Sequence, residues 1–361
     1  MENKEIIEKL TSELEKYKDK SFKVLFYVLD TQGMPSGSLT YMYETAYQLK
    51  ELGYNVQMLH SEKEFIGVRE WLGDKYADLP HYNIEKNISI SPADILFIPE
   101  IFSSVMYQTM KLPCKRIALL QNFEYLTEMT QPGATWMDYG INECVTTSNV
   151  LSDKIKEVFP SVKTHIVRPS ISKIFSKTET PKKLIVNILS KHKIDVNSIV
   201  KPFFWKYPMY KWVCFRDFSG LPKNDFADAL KEAAFTLWID DRTDFGYTPL
   251  EAMACGDIVI GKVPETVPEW MLKDGELRDC GIWFYNTNDA CDLIANLVDA
   301  YIHNGIPEIL QKEADDVLKN YTSELQIEDI KRVYVDGIFA NREKELIETV
   351  SIAKNNEEKK D

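Results

Sequence analysis

The sequence holds no C-x-x-C pair. Its six cysteines, Cys114, Cys144, Cys214, Cys255, Cys280 and Cys291, are scattered, which argues against a disulfide framework or a zinc site and fits a reducing, cytoplasmic location. The five histidines, His60, His81, His165, His192 and His303, show no metal-ligand spacing. No apolar run approaches the ~18 residues of a membrane span. The stretch Met1 to Lys20 is charged and helical in pattern. It has no apolar segment leading to a small-residue cleavage site, so it does not read as a signal peptide. Positive charge is scarce too: 43 Lys and Arg against 56 Asp and Glu leave a net charge of −13. A protein whose main partner is nucleic acid carries a basic excess, because phosphate contacts dominate affinity. The acidic balance argues against that partner while allowing a local basic patch beside a phosphate-bearing small molecule. A Gly-x-Ser-x-Gly elbow is missing, which disfavours a Ser-His-Asp hydrolase.

What is present is an ordinary globular composition, 44% apolar and 27% charged. At roughly 100–200 residues per domain, the length predicts two domains. An N-terminal helix is predicted over about 1–20, with Ile6, Ile7, Leu10 and Leu14 on one stripe. The run Phe22 to Leu29 reads as a strand buried on both faces of a parallel sheet. A glycine loop, a helix from Leu39 to Leu52 and a strand from Asn55 to Leu59 complete a βαβ unit. Buried strands recur at 94–98, 116–120, 143–147 and 164–167, with a helix over 153–158. The pattern breaks at Arg168-Pro-Ser-Ile, and we place the boundary of a first domain, 21–170, before a linker of 170–181. A second α/β domain, 181–322, carries strands at 183–189, 211–215, 236–239, 257–260 and 281–285 and a helix over 224–234. A helix over 323–353 then packs back or pairs with another chain, and a charged tail, 354–361, reads as disordered. Ligands favour the cleft that two such domains would enclose.

The stretch from Trp238 to Gly261 carries the chemistry. A strand ends near Asp240, a loop contains Gly246, and a short helix is predicted to open at Pro249, where no amide proton is needed. Gly256 ends it, and a strand follows at once. A glycine loop running into a helix N-terminus beyond a parallel strand is an anion site, because amide N–H groups and the helix dipole point the same way. A nucleoside diphosphate suits it.

The stretch Phe245-Gly-Tyr-Thr-Pro-Leu-Glu-Ala-Met-Ala-Cys-Gly256 closely resembles the donor-binding signature of the large retaining glycosyltransferase family of GT-B fold. That family reads Glu-Gly-Phe-Gly, a few residues, then Leu-Glu-Ala-Met-Ala-x-Gly. A weaker resemblance extends over about residues 22–340 and takes in Thr147-Ser148, Arg168-Pro-Ser-Ile and Glu265-Thr-Val-Pro-Glu269. It implies two Rossmann-like domains facing a central cleft, in an α/β fold. It implies transfer of a sugar from a nucleotide-sugar to a glycan or lipid-linked acceptor, as in polysaccharide biosynthesis, with retention and with no cofactor besides the donor. Glu251 then holds the ribose hydroxyls, and the amides of Phe245, Gly246, Tyr247 and Thr248 touch the sugar and diphosphate. The family's first carboxylate falls on Thr243, a departure; Asp244, one residue on, is the candidate to replace it. The family places an Arg and a Lys after the first strand of the second domain. Here Lys191 and Lys193 stand there, the arginine is missing, and Arg216 is a candidate substitute. Gly33 and Gly37, in the loop Thr31 to Ser38, would approach donor phosphate and acceptor, and Gln121 or Asn122 a sugar hydroxyl. The metal-binding Asp-x-Asp triplet of the other major glycosyltransferase fold is absent, in line with a metal-independent reading.

Plainer readings stand beside these. Thr248-Pro-Leu-Glu251 is also a capping box, the lysines suit a solvated surface, and Phe203 to Tyr207 is a packing cluster whose exposed part could serve a partner. Three rival functions share the sequence. One is a nucleotide-sugar epimerase of the same fold. Another is a degenerate relative that transfers nothing. The third is a scaffold whose terminal helices, through Ile6, Ile7, Leu10 and Leu14 with Leu346, Val350 and Ala353, build a homo-oligomer. A lipid-linked acceptor would bring peripheral membrane contact, although no basic amphipathic helix demands it.

Overall fold

The apolar run after the first helix becomes the centre of a sheet. In the computed structural model, which describes residues 2–86, 88–190, 193–240, 242–303 and 305–358, β1 (Lys23–Tyr27) lies between β2 (Asn55–His60) and β4 (Ile95–Pro99). The short β3 (His81–Asn83) extends one side; β5 (Lys115–Leu120), β6 (Glu143–Thr146) and β7 (Lys163–Ile166) extend the other. All seven strands are parallel, in the order β3-β2-β1-β4-β5-β6-β7. Both faces are covered, so Val24, Leu25, Phe97, Ile98, Ala118 and Leu120 are buried, as a near-continuous apolar strand requires. Strand order reverses between β1 and β4, and in open α/β sheets ligands bind beyond the carboxyl ends of the strands at such a reversal.

The second sheet repeats the logic with fewer strands. Here β8 (Lys183–Ser190), β9 (Cys214–Asp217), β10 (Ala233–Ile239) and β11 (Ile258–Lys262) are joined, after a small hairpin of β12 (Leu272–Lys273) and β13 (Glu276–Leu277), by β14 (Ile282–Phe284). The order is β14-β11-β10-β8-β9, all parallel. The reversal falls between β8 and β10, whose carboxyl ends lie side by side with Ser190 opposite Ile239. The predicted strand over 211–215 sits a few residues later than expected. Lys211 and Trp212 instead form a turn after the helix Lys193–Lys206, which the sequence reading passed over.

The chain divides at Arg168/Pro169 and returns at Gln326, so the first unit comprises the residues up to Arg168 together with those from Gln326 onward. Arg168 marks the exit: its Nε donates to Asp329 Oδ2 at 2.8 Å. The final helices run without a break from Ser323 to Glu358, with a π-helical stretch over Lys331–Phe339. The disordered tail expected from Lys354 is therefore helical as far as the description extends. The helix Glu2–Lys18 packs against Ala340–Glu358. Ile7, Leu346 and Val350 are buried within the single chain, whereas Ile6 is exposed and Leu10, Leu14 and Ala353 are half-buried, so three of the residues expected to build a homo-oligomer are already covered by the pairing of the two terminal helices. Phe22 anchors that corner edge-on against Phe339, centroids 5.2 Å apart. No described helix is long and apolar enough to cross a membrane, and all six cysteines are free thiols.

Candidate functional site

The reversal point of the second sheet is where the signature stretch lands. After Ile239 the chain leaves β10 and re-enters regular structure in the helix Tyr247–Ala254. Gly246 is the residue before that helix, at φ +74, and no side chain caps it. The conformation alone favours glycine, and space demands it. An added Cβ would lie 3.1 Å from Trp238 Cζ2 and 3.2 Å from Pro249 Cγ, and Trp238 is fully buried. Thr243 Oγ1 accepts the Gly246 N–H at 3.1 Å. The residue at the departure from the family signature therefore closes the turn. Pro249, third in the helix, has no N–H, so Tyr247 and Thr248 carry the remaining first-turn donors, where the helix dipole is positive. The helix ends on Gly256 at φ +83. Gly256 N–H donates to Met253 O and Asp257 N–H to Ala252 O, both at 2.9 Å, the pattern of a Schellman stop.

Because the helix opens at Tyr247 and not at Pro249, Thr248 is its second residue and no N-cap. The capping-box reading of Glu251 is thereby corrected. Glu251 stands one turn into the helix, half-buried. Asp244 is 4% exposed in the loop itself. The Phe245 carbonyl accepts Trp270 Nε1–H at 2.5 Å, and its ring packs edge-on against Tyr247 and Tyr321 at 4.9 and 5.4 Å. Trp270 is thus a support that sequence reasoning missed. It directly follows the quoted Glu265 to Glu269 stretch, and a tryptophan there was the available signal. Lys262, the last residue of β11, is a further cation at the carboxyl edge of this sheet.

Two predicted cations have side chains outside the described residues, and a third is tied into the sheet. Lys191 lies outside the described residues, and so does the side chain of Lys193, whose backbone opens the helix beyond β8. Arg216 lies opposite Asn187, within β9. Its guanidinium donates to Asn187 Oδ1 at 2.8 Å, Glu232 Oε2 at 2.5 Å and Ala229 O at 2.8 Å. Three of its five N–H donors bind β9 to β8 and to the helix Lys223–Glu232, a structural role the sequence did not announce. Lys183 and Arg216 together hold the Glu232 carboxyl down at about 2.

In the first unit, the loop after β1 is organised by buried Asp30. Its carboxylate accepts the N–H of Gln32 at 3.0 Å and of Ile66 at 2.7 Å. Gly33, at φ +79, turns that loop. Gly37 opens the helix Gly37–Glu51, capped by Ser36 Oγ accepting from Leu39 N–H at 3.4 Å. Asn122 is a cap too: its Oδ1 accepts the Tyr125 N–H at 3.1 Å, and its own N–H donates to buried Glu100 at 2.8 Å. Ser148 caps the helix Asn149–Val158 by accepting from Leu151 N–H at 3.2 Å.

No family model matches the chain. It is 24% identical over 217 residues to an alpha-1,6-glucosyltransferase of Actinobacillus pleuropneumoniae serotype 7 (strain AP76). The match takes in 59% of this chain and spans 64% of the length of that relative. Among solved structures it resembles sucrose-phosphate synthase of Thermosynechococcus elongatus, at a TM-score of 0.63 and 12% identity over 89% of this chain and all of that one. It also resembles the pneumococcal O-GlcNAc transferase GtfA, solved with UDP and GlcNAc, at a TM-score of 0.63 and 9% identity over 88% of this chain and 99% of that one. The fold is the two-unit α/β fold of GT-B glycosyltransferases.

Proposed function

We propose that the chain is a glycosyltransferase that takes a sugar, glucose in the first instance, from a nucleotide-sugar and passes it to a glycan or lipid-linked acceptor with retention. The observation that carries the reading is the turn at Gly246. A sterically enforced glycine leads into a helix with no side-chain cap at the strand-order reversal of the second sheet. Likeness to a protein named as an alpha-1,6-glucosyltransferase supports the sugar and the anomer. A donor that is itself α-linked and yields an α product reacts with retention.

In this reading Glu251 accepts hydrogen bonds from the ribose hydroxyls. The amides of Phe245 to Thr248 and the helix dipole face the diphosphate, and Asp244 holds hydroxyls of the transferred sugar. Charge builds on the diphosphate as the glycosidic bond lengthens, and preorganised donors that need no reorientation lower that barrier most. Lys191, Lys193 and Lys262 are the cations we assign to it. The acceptor hydroxyl then attacks the face that the leaving group vacates, and its proton passes to the diphosphate oxygen that took the electron pair of the broken glycosidic bond. No metal or further cofactor enters the scheme.

Calorimetric titration with UDP, GDP, ADP and dTDP in metal-free buffer tests the reading. One nucleotide should bind, and Glu251→Ala should weaken it by about 1–3 kcal/mol, the range for losing a hydrogen bond to a charged partner. Failure of all four to bind the wild type would remove the proposal.

A further inference from the structure

A second surface of the same unit has no part in that chemistry. The helix Lys193–Lys206 buries Ile199 and Phe203 in the core and turns Lys201, Trp205 and Lys206 outward. The tight turn at Pro208–Tyr210 then brings out Met209, and Lys211 and Trp212 follow. Trp205 is 76% exposed, Met209 62% and Trp212 57%. Trp212 is tied into the unit. Phe203 lies 6.2 Å from Tyr210 in a stacked pair and 5.2 Å from Phe215 edge-on, and Tyr210 lies 6.3 Å from Trp212. Trp212 thus stands on an aromatic base that reaches the core, and Trp205 projects from the helix beside it.

Charge marks the same stretch. From Val196 to Trp212 there are three lysines, Lys201, Lys206 and Lys211, and no Asp or Glu, in a chain of net charge −13. Lys206 is engaged by Asp292 of the neighbouring helix, and Asp299 of that helix lies against the Tyr210 hydroxyl, so Lys201 and Lys211 leave the rim modestly positive. Large amphipathic rings flanked by lysines, with an exposed methionine between them, match the boundary between lipid headgroups and acyl chains. Anionic headgroups attract the lysines as the rings enter. A glycan would use the rings but has no use for Met209 or the cations. We propose that residues 201–212 form a membrane-interface anchor for an anionic bilayer surface, independent of whether the unit transfers sugar.

The test is co-sedimentation of the full chain with phosphatidylcholine vesicles, with and without phosphatidylglycerol, and with brominated acyl chains to quench fluorescence. Of the tryptophans, Trp71, Trp136, Trp238 and Trp270 are buried and Trp283 is half-buried, so quenching reports Trp205 and Trp212. The expected result is binding to the anionic vesicles with quenching. Partition should fall about tenfold both in Trp205→Ala/Trp212→Ala and in Lys201→Glu/Lys211→Glu, while nucleotide titration in the absence of vesicles stays unchanged. Absence of binding to anionic vesicles, or binding undiminished in both variants, would overturn the proposal. So would retention on an immobilised glucan without vesicle binding, or a dimer in light scattering that the tryptophan variant dissociates.

Discussion

Gly33 and Gly246 share a backbone conformation, φ +79 and +74, and each turns the loop after a strand at a point where sheet order reverses. Their surroundings differ. A side chain at Gly33 would meet nothing nearer than Ile66 Cγ2 at 3.8 Å, whereas at Gly246 it would press on Trp238 and Pro249. The helix after the first loop is capped by Ser36; the helix after the second has glycine at the cap and no side-chain acceptor. The first loop is therefore held by its own hydrogen bonds, through Asp30 and Ser36, and its helix N-terminus is already answered from within. The second is held by packing together with the Thr243 and Trp270 hydrogen bonds, which fix the backbone without a side chain at the cap position. Two sheets of one architecture solve the same turn differently, and the proposed phosphate site rests on the second.

The sharpest break of that comparison is a pair of glycine substitutions. Gly246→Val combines left-handed strain with overpacking and should cost about 3 kcal/mol in denaturant unfolding and abolish nucleotide binding. Gly33→Ala should cost about 1 kcal/mol, from strain alone; equal losses would dissolve the distinction. Trp270→Phe keeps the ring and removes the donor to Phe245 O. We expect about 1–2 kcal/mol less stability, with nucleotide affinity falling in parallel if Trp270 positions the loop. The caps give a smaller contrast. Ser36→Ala should cost about 1 kcal/mol, and Thr248→Ala, at the second residue of its helix, should leave stability within about 0.5 kcal/mol.

Each unit holds one carboxyl down at about 2, half-buried Glu232 in the second and buried Glu143 in the first. In the first, Glu143 loses solvent by burial, yet His165 and Lys115, at 3.0 and 2.6 Å, hold its carboxyl at about 2 against an ordinary 4.5. A depressed carboxyl contributes stability that is whole above pH 4.5 and lost as pH falls through about 2. Discounted for residual solvent, that amounts to about 1 kcal/mol. Glu143→Gln should flatten this part of an acid titration followed by circular dichroism, and an unaltered curve would place the acid sensitivity elsewhere.

Most strands were legible because strands buried on both faces read as near-continuous apolar runs, as from Phe22 to Leu29. The helix Lys193–Lys206 was not, since it contains Pro202 and an aromatic stretch without clear periodicity. The helix start at Tyr247 was misread because Pro249 is a common first residue; the φ of Gly246 moves the start forward. Arg216 looked available because a strand end is a usual place for a ligand cation, and no sequence signal announces that Asn187 and Glu232 would engage it.

The sequence by itself determined two successive α/β units, the strand–loop–helix placement of the signature, and glycine at the two points where the loops turn. These follow from periodicity and backbone sterics, which are local. Tertiary structure alone decided which strands reverse order, which cations are already paired, that Trp270 braces the Phe245 loop, and that the terminal helices pack on each other within one chain. Those are contacts between residues distant in sequence, and local pattern carries no record of them.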